Sequence, residues 1–116
     1  MYAQVLSPPS KVILRNLTFH HKGSGRAVFI NDATFVKFEN CNFIHSGHFD
    51  GDGGAVEVRG ANAKVVFESC TFTGNVGKYG GALAVDESLV ELIESVFDNN
   101  KASLGGGAIA ISNKGE

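Results

Sequence analysis

The phrase Gly-Gly-Ala plus an aliphatic residue occurs three times, at Gly53-Gly54-Ala55-Val56, Gly80-Gly81-Ala82-Leu83 and Gly106-Gly107-Ala108-Ile109. Its copies start 27 and 26 residues apart. A fixed period in that range marks a solenoid, whose units bury their apolar faces only against their neighbours. A second pattern, apolar-x-apolar-x-x-small or apolar-x-Phe, lies between these phrases. It reads Val12, Leu14, Leu17, Phe19, then Val36, Phe38, Cys41, Phe43, then Val65, Phe67, Cys70, Phe72, then Val90, Leu92, Ser95, Phe97. The fourth copy aligns without a gap in this register, whereas matching Glu94-Ser95 to Glu68-Ser69 needs a deletion before Phe97.

Alternation at period two predicts short strands, and the x-x step in each block predicts a bend between two of them. The Gly-Gly phrase opens a third strand, in which Val56/Val58, Leu83/Val85 and Ile109/Ile111 share the alternation and Ala27-Val28-Phe29-Ile30 fills the slot in the first unit. No stretch carries ten to twelve residues of helical periodicity with caps. Strands recurring at one fixed phase pair with their counterparts in the next unit, so the sheets are parallel, and parallel connections are almost always right-handed. The expected fold is all-β: a right-handed parallel β-helix, or solenoid, of about four coils of three short strands, about 19 Å tall.

Stacking puts like on like. Phe19, Phe43, Phe72 and Phe97 are expected to form an internal aromatic ladder. Asn16, Asn40 and Ser69 fall at one corner, where their side chains can satisfy carbonyls left unpaired by the bend. The same ladder accounts for Asn16-Leu17-Thr18, which also reads as an N-glycosylation sequon. The glycines have a steric reading, positive φ or close backbone approach at a corner. A phosphate-cradling loop would need a following helix and a neighbouring Lys, and the sequence supplies neither.

The chain of 116 residues is read as a single β-helix segment over 1–116, with 1–10 as a lead-in outside the repeat. Nine Phe and no Trp suit an interior slot of repeated size better than a ligand surface. A net charge of −2 with charges scattered along the chain offers no basic stripe for nucleic acid and no lysine run for an anionic membrane. No apolar run has the length of a membrane span, and Met1 to Ser10 lacks the profile of a signal peptide. Cys41 and Cys70 occupy one slot in successive coils, both pointing inward; parallel side-chain vectors disfavour a disulfide, so two buried thiols are expected.

His45-Ser46-Gly47-His48-Phe49-Asp50-Gly51-Asp52-Gly53 is the one dense polar cluster. His45, His48, Asp50 and Asp52 are the candidate metal ligands, with Asp50 and Asp52 the pair that could help hold calcium. Asp-Gly-Asp-Gly is also the chemistry of a polar turn. The same aspartates are candidate catalytic carboxylates for glycoside cleavage, assisted by His45 or His48. Such a site needs a groove across several coils and a cationic clamp, for which the sequence offers Arg59, Lys64, Lys78 and Lys101 on scattered corners. His20-His21 reads as a solvated corner. No cofactor is expected.

Gly-Gly-Ala-aliphatic alternating with Phe-x-x-Asn, as in Phe72-Thr73-Gly74-Asn75 and Phe97-Asp98-Asn99-Asn100, resembles the repeat of the chlamydial polymorphic outer-membrane proteins. The match is good over 53–109; Phe43-Ile44-His45-Ser46 and Phe19-His20-His21-Lys22 depart from the Asn position, and the first unit lacks Gly-Gly. The resemblance implies a surface-exposed passenger or adhesin-like segment, extracellular or at the cell surface.

The chain reaches Glu116 directly after a third strand, with no polar helix to close the stack. An open coil leaves unpaired backbone groups and apolar surface. The partner expected is therefore a protein at the open coil ends or further coils of the same polypeptide, with a surface glycan as another ligand class, no nucleic acid and no direct membrane insertion. The leading functional expectation is a non-catalytic scaffold, structural or adhesion-type, presenting stacked corners to a partner. The alternatives are a carbohydrate-active β-helix, lyase or hydrolase, and a structural subunit of a large assembly.

Overall fold

The computed structural model describes residues 3–6, 11–20, 27–31, 35–47, 54–60, 63–105 and 107–112, and all secondary structure among them is β. The chain winds through β1 (Ala3–Leu6), β2 (Lys11–Arg15) and β3 (Thr18–Phe19), then β4 (Val28–Asn31), β5 (Phe35–Glu39) and β6 (Asn42–Ile44). The third turn is β7 (Val56–Arg59), β8 (Lys64–Glu68), β9 (Thr71–Thr73) and β10 (Val76–Tyr79). The fourth is β11 (Leu83–Asp86), β12 (Leu89–Ile93), β13 (Val96–Asp98) and β14 (Lys101–Gly105), after which β15 (Ile109–Ser112) returns to the first sheet.

Every strand pair is parallel, and the sheets run β1-β4-β7-β11-β15, β2-β5-β8-β12, β3-β6-β9-β13 and β10-β14. The solenoid read from the periodicity is the fold. Two details differ. Ala3–Leu6, expected to lie outside the repeat, is in register with β4, Ala3 beside Val28 and Leu6 beside Asn31. The later turns also carry a fourth short strand: β10 and β14 pair with a register shift between Gly77 and Tyr79, which blurs any period-two signal there.

Alternation decides the inside. In β5, Val36 and Phe38 are fully buried while Phe35, Lys37 and Glu39 are partly exposed. The expected ladder of Phe19, Phe43, Phe72 and Phe97 is present, with successive centroids 4.9, 4.6 and 4.4 Å apart and rings nearly parallel. A second stack, Phe38 on Phe67 at 4.9 Å, meets the first edge-on, as in Phe67 against Phe72 at 5.1 Å. Stacked and edge-to-face geometries are the two favoured ones, each contributing about 0.5–1.5 kcal/mol beyond burial.

The bend between the second and third sheets has one conformation throughout. Asn16, Asn40, Ser69 and Glu94 have φ of 57°, 54°, 55° and 49°. Glu94 therefore sits over Ser69, and Val96 pairs with Thr71, which fixes the gapless alignment of the fourth unit. Asn40 Nδ2 donates to Asn16 Oδ1 at 2.8 Å, so these amides bond one another rather than corner carbonyls.

The carbonyls are met by the next residue. Cys41 Sγ lies 3.5 Å from the Leu14 and Glu39 oxygens, Cys70 Sγ lies 3.4 Å from those of Phe38 and Glu68, and Ser95 Oγ lies 3.2 and 3.1 Å from those of Phe67 and Ile93. Both cysteines are free and buried.

The Gly-Gly phrase has two separate requirements. Gly80 has φ +68°, a conformation that L side chains rarely adopt. At Gly54 a Cβ would collide with the Gly81 carbonyl oxygen, and at Gly81 it would lie 2.5 Å from that of Gly107, so backbone approaches backbone. Gly53 and Gly106 lie outside the described residues.

Candidate functional site

His45 follows β6 at the second corner, where its φ of 46° matches Gly74 at 65° and Asn99 at 56° in later turns. Its N–H donates to Thr73 O at 2.9 Å, and its exposed imidazole lies over Gly74, where any Cβ would strike the ring. The His20 ring is 6.1 Å away, tilted by 59°. The structure thus brings His45 to His20, a residue expected only at a solvated corner. His48, Asp50 and Asp52 lie outside the described residues, as does His21. Among the described residues no group of three or more His, Cys, Asp or Glu could hold a metal ion.

The residue after this corner is the Asn of Phe-x-x-Asn, and its work is internal. Asn75 is fully buried; its Nδ2 donates to Phe43 O at 3.0 Å and to Asn100 Oδ1 at 2.9 Å, while its Oδ1 accepts the Ser46 N–H at 2.9 Å. Asn100 repeats the bond one turn on, Nδ2 to Phe72 O at 2.9 Å. Ser46 holds the slot in the second turn, with Oγ on Ile44 O at 3.2 Å. The motif marks a hydrogen-bonded ladder that satisfies the bend's backbone groups.

Two outer faces carry charge. On β2-β5-β8, Arg15 Nε meets Glu39 Oε1 at 2.5 Å, and Lys37 Nζ meets Glu39 Oε2 at 3.0 Å and Glu68 Oε1 at 3.1 Å. The hydrogen bonds from Arg15 and then Lys37 lower the Glu39 carboxyl below its ordinary value, and those to Glu39 and Glu68 raise the Lys37 ammonium. On β4-β7-β11, Glu57 lies outward between Val56 and Val58, yet its side chain is only 4% exposed. Arg59 Nε reaches Glu57 Oε2 at 2.6 Å, and its guanidinium carbon stands 5.9 Å from the Phe29 ring centre.

Arg59, Lys64, Lys78 and Lys101, expected on scattered corners, all lie on strands: β7, β8, β10 and β14. The outward face of a strand holds charge as readily as a corner does. The residue missed is Glu57, visible beside Arg59 in the polar half of Val56-Glu57-Val58-Arg59; what sequence could not supply is the burial of the carboxylate.

Comparison with curated proteins and with solved structures gives no match. The profile that describes the right handed beta helix region matches residues 2–116, in agreement with the parallel sheets and the fixed corners. On that match, spanning nearly all of its length, the chain belongs to the right-handed β-helix family.

Proposed function

We propose that this chain is a non-catalytic scaffold, a structural or adhesion-type module at the cell surface or outside the cell, that presents stacked corners to a protein partner. The observation that carries the reading is the corner column: Asn16, Asn40, Ser69 and Glu94 share one left-handed conformation and are all exposed. Four backbone positions held at one φ on a packed core form a straight row at the strand spacing of about 4.8 Å. Such a row meets a partner with little ordering cost. The resemblance of the Gly-Gly-Ala and Phe-x-x-Asn repeats to those of the chlamydial polymorphic outer-membrane proteins supports the surface location.

A carbohydrate-active reading is favoured by a different observation, the buried Glu57 held by Arg59 beside Phe29. Carboxylate, guanidinium and aromatic ring are the groups that hold and cleave acidic sugars, and Asp50 and Asp52 precede Glu57 and Arg59 in sequence.

Incubation with a panel of acidic and neutral glycans, scored for new reducing ends and unsaturated products, separates the two. No turnover is expected. Turnover that disappears in Asp52→Asn or Glu57→Gln would replace the scaffold by the enzyme.

A further inference from the structure

The chain has four histidines, and all of them fall in two short stretches, His20-His21 and His45 to His48. His45 comes 25 residues after His20, close to one revolution, since Phe19 pairs with Phe43. Winding therefore sets His45 beside His20 although the sequence holds them well apart.

Both rings are exposed, their centres are 6.1 Å apart and their planes are tilted by 59°. The lone pairs of imidazole lie in the ring plane, so rings stacked face to face cannot share an ion, whereas tilted rings can. With metal–nitrogen bonds of about 2.0–2.1 Å, the centres of two imidazoles on one ion stand about 5.2 Å apart at a tetrahedral angle and about 6.4 Å apart in line. The observed spacing falls inside that range.

The backbone fixes one of the two. His45 donates its N–H to Thr73 O at 2.9 Å and holds φ at 46°. Gly74 leaves room for the ring: a Cβ there would meet Nδ1 and Cε1, while Nε2 stands farther off. Neutral imidazole binds divalent transition metals through a single ring nitrogen, and either nitrogen serves.

We propose that His20 and His45 form a chelating pair for one divalent transition-metal ion of the zinc, nickel or copper class, with water in the remaining positions. The donors are nitrogen, which selects these ions over calcium and magnesium. The ion ties the first turn to the second where their third-sheet strands pair most briefly. There β3 meets β6 through Thr18 and Phe19, against three residue pairs between β6 and β9. An ion that binds only the folded chain stabilises it.

Isothermal titration calorimetry of the 116-residue chain, free of any histidine tag, with zinc, nickel, copper(II) and calcium chlorides tests this. One transition-metal ion per chain is expected, copper bound more tightly than nickel or zinc, and no binding of calcium. Two replacements fit the fold. Asn99 holds the place of His45 two turns on, with φ of 56°, and Thr73 follows the inward Phe72 as His20 follows Phe19. His45→Asn and His20→Thr, each checked for fold by circular dichroism, are each expected to weaken zinc binding more than about tenfold, since even partners that only orient a ligand are worth about 10–100-fold. Zinc is expected to raise the melting temperature of the parent chain more than that of either variant. A parent chain that binds no zinc, a variant that binds zinc as tightly as the parent, or calcium bound as tightly as zinc overturns the proposal. None of these outcomes bears on the glycan result, and glycan turnover leaves the metal result standing.

Discussion

At the scale of the residue, the slot held by Cys41, Cys70 and Ser95 is the clearest case of one side chain serving two turns. Each places a small donor between a carbonyl of its own turn and one of the turn before. Cys here is a compact donor rather than a reactive group. Burial pushes the Cys70 thiol up to about 11, and that of Cys41 upward too. Cys70→Ser keeps the donor, so thermal denaturation is expected to change little. Cys70→Ala removes a weak donor from the Phe38 oxygen while the Glu68 oxygen keeps the Asn40 N–H at 2.9 Å, and is expected to cost about 0.5–1.5 kcal/mol. Alkylation at neutral pH should leave Cys70 unmodified until the chain unfolds, since the thiolate is the nucleophile. The sequence displayed the slot as small or apolar; its hydrogen bonding became visible only once carbonyls of two turns converged on it. Leu17, which has no donor, holds the same slot in the first turn, and there the pattern stops.

At the scale of the element, strands and stacking order were legible because burial follows period two and like residues recur at one phase. Phe43 and Phe97 occupy equivalent positions, but Phe43 is fully buried and Phe97 partly exposed. Phe43→Ala is expected to cost about 3–5 kcal/mol and Phe97→Ala clearly less, read from urea midpoints. Less legible was β10, whose Val76-Gly77-Lys78-Tyr79 combines a Gly with a register shift. The outer face of β2-β5-β8 makes a further prediction. Glu39, lowered, adds stability above its ordinary value near 4.5, and that contribution is lost as pH falls through its folded value. Lys37, raised, adds stability in full below 10.5, and it is lost as pH rises through the folded value. Melting temperature against pH should show both shoulders, and Lys37→Met should remove the alkaline one and weaken the acid one.

At the scale of the whole molecule, the fold was readable from three glycine phrases, whereas the candidate site was not. His45 met His20 across a turn, and Glu57 was buried by its surroundings. Each depends on distances between residues far apart in sequence, which a periodic pattern orders but does not measure. Val56 and Leu83 hold the same position in successive turns, so the intervening stretch is one whole revolution. Excising residues 56–82 is expected to leave a folded, shorter and less stable chain; excising 56–68 is expected to leave an unfolded one, by far-UV circular dichroism and urea titration.

The shared sheet of β1 and β15 carries that arithmetic to its end. The path from Ala3 to Ile109 closes on the same angular position, like a screw thread cut at matching flanks. Any stretch of whole turns can therefore be spliced into another parallel solenoid, or doubled within its own, without rotating anything downstream. Length is thereby free to vary in whole turns while every column of side chains keeps its line.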